Sequence, residues 1–145
     1  MKVILSVVVF ASIICIQQVS SQSLGVCLKS PVIKDFNASR YLGKWYEIKR
    51  FNYIFEPQNL QCLVAIYGSL NQTAISVNNT GFNVKTKKTD GRSGYAYVPN
   101  AAEPNKLSVV LPVEVFNVTI LQGEGPYDVL ETDYDTYALV YSCTQ

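Results

Sequence analysis

The sequence predicts an antiparallel all-β domain, and two observations carry that prediction. Short apolar and aromatic runs alternate with turn residues at close intervals, which is the pattern of successive short strands. The only tryptophan, Trp45, follows Gly43 at the start of one such run. Because glycine permits close backbone approach and tryptophan needs a large site to fill, this pair indicates a structural floor at one end of a β-barrel.

The strands expected in chain order are 44–51, 62–70, 74–79 (extending as far as 82), 94–98, 106–111, 128–133 and 137–143. The segment 115–121 is also rich in β-forming residues and is either a strand or a loop strapped across the barrel. Turns are expected where Gly, Pro, Asn and Asp cluster, at 71–72, 90–91, 99–100, 103–105 and 123–126. The strands at 62–70 and 137–143 are apolar on both faces, which fits a barrel around an apolar cavity or a plain sandwich core.

The first 21 residues are expected to be a secretory signal peptide. Lys2 precedes an apolar run that ends in small residues, and the run is shorter than the roughly 20 residues that span a bilayer. A membrane anchor is the alternative. We expect cleavage after Ser21, a single domain over 22–145, a secreted extracellular protein and no stable membrane insertion.

Charge and composition argue against several classes of protein. The chain has 12 Lys and Arg against 11 Asp and Glu, and loss of Lys2 with the leader leaves a neutral chain without a basic surface for nucleic acid. There is no histidine, which removes the commonest general base and the commonest transition-metal ligand. We expect no enzyme, no metal site and no cofactor.

The remaining cysteines and the glycosylation sequons agree with secretion. Once the leader takes Cys15, an odd number of cysteines remains, which means one bridge plus one thiol that is free, reactive or joined to another molecule. These cysteines are Cys27, Cys62 and Cys143. The Asn-x-Ser/Thr sequons, of which we expect a subset to carry glycans, lie at Asn37, Asn71, Asn78 and Asn117.

Three motifs carry a family resemblance. Segment 43–48 reads Gly-Lys-Trp-Tyr-Glu-Ile, segment 132–143 opens on Thr-Asp-Tyr and closes on Tyr-Ala-Leu-Val-Tyr-Ser-Cys, and Gly25-Val26-Cys27 precedes Asp35-Phe36. These motifs resemble those of secreted lipocalins, in particular the apolipoprotein D and insect bilin-binding group. The resemblance covers about 25–143 and implies an antiparallel up-and-down β-barrel that binds a small hydrophobic ligand.

The chain departs from that family at its C-terminal end. The resemblance implies eight barrel strands, an external helix and a ninth strand, whereas this sequence stops at Gln145 directly after the seventh expected strand. We therefore expect an incomplete barrel of about seven strands without the eighth strand, the C-terminal helix or the last strand. Such a chain is a truncated isoform or a fragment of a longer product.

The resemblance also implies which cysteines are paired. It implies a disulfide between Cys27 of the N-terminal arm and Cys143 of the seventh strand. Cys62 matches a cysteine whose family partner lies beyond Gln145, which leaves it unpaired or disulfide-linked to another molecule. The other interpretation makes Cys62 the reactive thiol of an isomerase.

Strand alternation gives a candidate pocket. If Cys143 faces outward to meet the arm, alternate residues of the last strand face the cavity, and the same rule selects residues of the fourth and sixth strands. A one-residue error in register would invert each set. The candidate ligand-binding residues are Tyr95, Tyr97, Tyr127, Val129, Ala138, Val140 and Ser142.

The function expected from these observations is extracellular binding and transport of a small hydrophobic ligand of the lipid, sterol, retinoid or bilin type, under a loop at 52–57. Two alternatives are a lipocalin that binds other proteins through its loops and a non-functional truncated isoform with unpaired edge strands.

Overall fold

The computed structural model of the chain describes residues 26–51, 59–115 and 118–144. The expected leader, the loop at 52–57 and the sequon asparagine Asn117 lie outside the described residues. Seven antiparallel strands form one sheet in chain order, curled into a half-barrel, which confirms the all-β prediction. The strands are β1 (Gly43–Tyr46), β2 (Leu60–Ser69), β3 (Ala74–Asn83), β4 (Lys88–Tyr97), β5 (Lys106–Val115), β6 (Val118–Thr132) and β7 (Ala138–Tyr141). In this part of the chain, no helix is long and apolar enough to cross a membrane.

Two of the expected turns are wrong because they lie inside strands. Asp90 and Gly91 belong to β4, and the β3–β4 connection instead closes at Lys87, whose amide donates to the carbonyl of Asn83 at 2.8 Å. Segment 123–126 runs through β6, paired with β5. In both places the continuous cross-strand ladder overrides the local turn preference of Gly, Asp and Pro.

The sheet separates between β4 and β5. β4 pairs with β3 along ten residues but with β5 along only three, from Tyr95 to Tyr97. Directly before this junction, a Cβ atom on Gly94 would lie 2.0 Å from the carbonyl oxygen of Val110. Glycine is therefore required where the two backbones come closest.

The N-terminal arm, residues 26–42, is fixed to Cys143, which lies beyond β7, and to Asn105, which precedes β5. The Cys27–Cys143 disulfide is present, with Cα atoms 5.7 Å apart, as the resemblance implied. Asn105, fully buried, accepts a hydrogen bond from the amide of Ile33 at 2.9 Å and donates to the carbonyls of Pro31 and Val129 at 3.0 and 2.8 Å. These bonds satisfy a buried side chain and hold the arm to the sheet.

The buried core lies on the inner face of the sheet and beneath the arm. Its members come from the arm and from five of the strands, so the core depends on the curl rather than on any one hairpin. They are Phe36, Tyr41, Tyr67, Val77, Ala96, Leu107 and Val129.

We predict that Gly94→Ala destabilises the fold by about 2–4 kcal/mol, because the new methyl group must push the β5 backbone away. Gly125→Ala is the matched control, since a Cβ atom there meets nothing within 4 Å. Free energies of unfolding from chemical denaturation will measure both. Equal stabilities for the two variants would contradict this account of the β4–β5 junction.

Candidate functional site

The concave face of the half-barrel carries an open cavity of about 490 Å³. Strand register brings alternate residues onto this face, since Tyr67 pairs with Val77 and Val109 pairs with Gly125. The volume falls within the roughly 300–1,000 Å³ of small-molecule sites. The lining residues are Tyr67, Val77, Asn79, Arg92, Val109, Leu111, Gly123, Glu124, Gly125, Pro126, Tyr127 and Ser142.

Three tyrosines, here called the tyrosine triad, meet at one end of the cavity: Tyr41, Tyr67 and Tyr127. The hydroxyl of Tyr67 donates to that of Tyr127 at 2.9 Å, and the hydroxyls of Tyr41 and Tyr127 lie 3.0 Å apart. The rings of Tyr41 and Tyr67 stack with centroids 5.5 Å apart. The triad therefore joins the N-terminal arm, β2 and β6 through one polar cluster.

The triad is neutral at physiological pH. Burial raises the pKa of Tyr41 to about 12, against the opposing effect of its hydrogen bond to Tyr127. Burial is also the main cause that raises the pKa of Tyr67 and of Tyr127. Three hydroxyl protons share two hydrogen bonds, so within the described residues one proton of the triad has no acceptor.

Trp45 packs beside the triad. Its ring stacks on Tyr41 with centroids 5.0 Å apart, and its Nε1 donates to the Tyr41 carbonyl at 2.9 Å. Gly43 pairs with Tyr67 in the β1–β2 register. The structure thus places Trp45 against the core, whereas Gly43 is exposed and has a φ of 120° with nothing within 4 Å of an added Cβ atom. The role of the pair as the floor of the barrel stays a prediction.

The two tyrosines expected on the fourth strand do not face the cavity. Tyr95 and Tyr97 share one face, as expected, but it is the outer face, because Gly94 and Ala96 occupy the inward positions of β4. The hydroxyl of Tyr97 donates to Glu124 Oε1 at 2.6 Å. The pocket assignment of both residues is therefore wrong, since alternation without a known register fixes only which residues share a face.

The other candidate pocket residues lie on the inner side of the sheet. Tyr127 and Ser142 line the cavity, and Val129 is fully buried in the core. Val140 pairs with Val129, and Ala138 packs against the core cluster. Contact between these residues and a ligand stays a prediction.

Two polar residues of the cavity wall were not selected from the sequence. Asn79 of β3 and Arg92 of β4 are directly opposed in the β3–β4 ladder. Asn79 Oδ1 is buried without a hydrogen-bond partner among the described residues, which costs about 1–3 kcal/mol. The sequence offered little indication of either residue, because Asn79 lies at the end of an expected strand and Arg92 lies next to an expected turn.

Glu124, the other charged residue that lines the cavity, makes its hydrogen bonds on the outer face of the sheet. The Glu124 carboxylate accepts hydrogen bonds from Ser108 at 2.5 Å and from Tyr97 at 2.6 Å. The bond from Ser108, followed by that from Tyr97, lowers the pKa of Glu124. This carboxylate is therefore held ionised by neighbours that do not line the cavity.

Cys62 and the sequon asparagines lie at the surface. Cys62 is an exposed free thiol in an irregular part of β2, has a φ of 51°, and is not among the residues that line the cavity. Asn37, Asn71 and Asn78 are exposed. Their glycosylation stays a prediction, as does a disulfide-linked partner of Cys62.

A family profile described as a lipocalin-like domain matches residues 36–144. This chain belongs to the lipocalin family. Apolipoprotein D of Rattus norvegicus is 39% identical over 125 residues, which cover 83% of this chain and 59% of that protein. The Lazarillo protein of Schistocerca americana is 32% identical over 127 residues, covering 87% and 56% respectively. This lipocalin thus spans less than two thirds of the length of these relatives.

A solved structure also resembles the fold of this lipocalin. The selenomethionine derivative of a biogenic amine-binding protein superposes with a TM-score of 0.63 at 21% identity, over 81% of this chain and 63% of that one. Together with the family match, this likeness confirms the lipocalin-type architecture expected from the Gly43–Trp45 motif.

We predict that alkaline pH unfolds this lipocalin through the tyrosine triad. An unfolded tyrosine has a pKa of about 10, whereas Tyr41 in the folded protein has a pKa of about 12. Its contribution to the free energy of unfolding is therefore complete below pH 10 and is lost as the pH rises towards 12. Tyrosinate absorbance and circular dichroism should therefore report a late ionisation that coincides with unfolding.

The control compares two tyrosines of different exposure. Tyr41→Phe should weaken the dependence of stability on pH above 10, whereas Tyr46→Phe should leave it unchanged, because Tyr46 is 64% exposed. Ionisation of every tyrosine near pH 10 with the fold intact would contradict the role of burial.

Proposed function

We propose that this lipocalin binds and carries a small hydrophobic ligand in the cavity of its half-barrel. The observation that carries the proposal is the cavity of about 490 Å³, whose wall includes the apolar side chains Val77, Val109 and Leu111. Apolar burial supplies affinity in such a site, and a few polar groups supply orientation. Here those groups are the tyrosine triad at one end and Asn79 and Arg92 on the wall.

Family membership supports binding and transport rather than catalysis. The biogenic amine-binding protein of similar fold is named for binding a small molecule, which is compatible with a ligand cavity at this place. Cys62 does not line the cavity, so the geometry gives no support to an isomerase that uses this thiol. An open cavity also favours ligand carriage over a side-chain-filled barrel that acts only through its loops.

An extracellular setting is part of the proposal. The Cys27–Cys143 disulfide is typical of oxidising compartments, and three sequon asparagines are exposed. The expected leader at 1–21 agrees with this setting.

The direct test follows the fluorescence of Trp45, the only tryptophan, while the secreted protein is titrated with 1-decanol, cholesterol or retinol. Trp45 stacks on Tyr41, which contacts the cavity-lining Tyr127, so a ligand that reaches the triad should produce a saturable change. The absence of a saturable response to all of these probes, with no heat of binding by calorimetry, would refute the proposal.

A cavity-blocking variant locates the binding. Gly125→Leu places a side chain into open space in the cavity, so we expect at least about a tenfold loss of affinity with the fold retained. Tyr95→Leu is the control on the outer face and should bind as the wild type does. Equal affinities of the two variants would place the ligand elsewhere.

A further inference from the structure

The outer face of β1 and β2 carries an apolar strip, formed by Tyr46, Val64 and Ile66. Trp45 and Ala65 alternate with these residues and pack on the core, so the strip points away from the cavity. Tyr46 is 64% exposed and Ile66 is 38% exposed. Adjacent exposed apolar side chains of this kind favour contact with a further group that covers them.

The sequon asparagine Asn78 lies directly beside this apolar strip. In the β2–β3 ladder Asn78 is paired with Ile66, and the sequon threonine Thr80 is paired with Val64. The residue between them, Asn79, lines the cavity, so Asn78 lies on the outer face, where it is exposed. Side chains directly opposed across two strands are close enough to touch. A group attached to Asn78 therefore starts next to the strip.

The carboxamide of Asn78 is oriented so that its nitrogen is turned towards the strip. Ser93 of β4, which pairs with Asn78 on the side away from β2, donates from its Oγ to Asn78 Oδ1 at 3.3 Å. The oxygen and the nitrogen of a carboxamide lie on opposite sides of its carbon, so Nδ2 points away from β4. Within the described residues Nδ2 makes no hydrogen bond. An N-linked glycan is attached at this atom and leaves β3 on the side of Ile66.

The other described sequons lie away from the strip. Asn37 belongs to the N-terminal arm, whereas Asn71 lies in the β2–β3 turn, where its Oδ1 accepts from the amides of Thr73 and Ala74 at 2.9 and 2.8 Å. Neither asparagine is paired with a residue of the strip in the strand ladders. Asn71 therefore offers a control sequon of the same chemistry in a different place.

We propose that Asn78 is an N-glycosylation site whose glycan lies over the apolar strip and shields it from water and from other proteins. The C–H faces of the first sugars pack on the Tyr46 ring and on Ile66, while their hydroxyl groups stay in water. The glycan, and not a second protein, is thus the group that covers this face. This inference rests on the extracellular setting that is part of the proposed function.

The attachment is a glycosyl transfer from a lipid-linked oligosaccharide diphosphate. The bond between Asn78 Nδ2 and the anomeric carbon of N-acetylglucosamine forms as the bond from that carbon to the diphosphate oxygen breaks. Nδ2 loses one proton, and the lipid diphosphate is the leaving group. The side chain stays exposed in the folded sheet, so the fold accommodates the product.

The test begins with the occupancy of the site in the full chain secreted from cultured eukaryotic cells. Peptide N-glycosidase in heavy-oxygen water converts each glycosylated asparagine to a labelled aspartate, which mass spectrometry locates. We expect the label at Asn78. Hydroxyl-radical footprinting of the same protein, before and after native release of the glycan, should show a several-fold rise in the oxidation of Tyr46.

Variants then assign the protection of Tyr46 to one glycan. Asn78→Gln should raise its oxidation several-fold, and Thr80→Ala should do the same, because it removes the sequon but keeps the Asn78 side chain. Asn71→Gln is the matched control and should leave Tyr46 unchanged. Tyr137, which is exposed between β6 and β7, should be oxidised equally in every variant. Thermal melting checks that each variant is folded.

The outcomes separate this inference from the proposed function. An unlabelled Asn78 in the secreted protein would overturn the inference, as would equal oxidation of Tyr46 with and without the glycan. A second copy that covers the strip would give a dimer with Tyr46 protected in Asn78→Gln, which would also overturn it. Ligand binding in the cavity stands in each of these cases. Retention of the chain inside the cell would refute the extracellular setting and this inference together.

Discussion

The hydroxyl contacts of Tyr127 with Tyr41 and Tyr67 are the interaction on which the cavity depends. They join residues 86 and 60 positions apart in sequence, and they lie where the N-terminal arm, β2 and β6 converge. Buried hydroxyls need partners, so the three rings can pack together only in an arrangement that satisfies them. That requirement fixes one end of the cavity and gives Trp45 a surface on which to stack.

The arm must be held before Tyr41 can take part in this cluster. Asn105 binds the backbone of the arm and of β6, while the Cys27–Cys143 disulfide attaches the arm to the residues that follow β7. A covalent link across 116 positions chiefly restricts the unfolded chain, whereas Asn105 selects one position of the arm in the folded state. The disulfide acts on the unfolded state and Asn105 on the folded state, and both favour the contact of Tyr41 with Tyr127.

The cavity therefore has three chemically different parts. The tyrosine triad is neutral and polar, part of the wall is apolar, and Arg92 and Glu124 add charges of opposite sign. The close approach of β4 and β5 depends on Gly94, because any side chain there would collide with the β5 backbone.

The sequence by itself determined the antiparallel class and the approximate number of strands, because apolar runs and turn residues are local properties. Its signature motifs indicated the family, and only that resemblance implied the pairing of Cys27 with Cys143. Only the tertiary structure decided which face of the sheet each side chain lies on and where each strand begins and ends. Tyr95 and Tyr97 could be assigned to a common face from alternation, but which face required the register with β3 and β5. The Asp-Gly segment at 90–91 and the Gly-Glu-Gly-Pro segment at 123–126 resemble turns, but each pairs with a neighbouring strand along its whole length. The opposition of Asn79 and Arg92 in the β3–β4 ladder arises from the same long-range pairing, which no local pattern encodes.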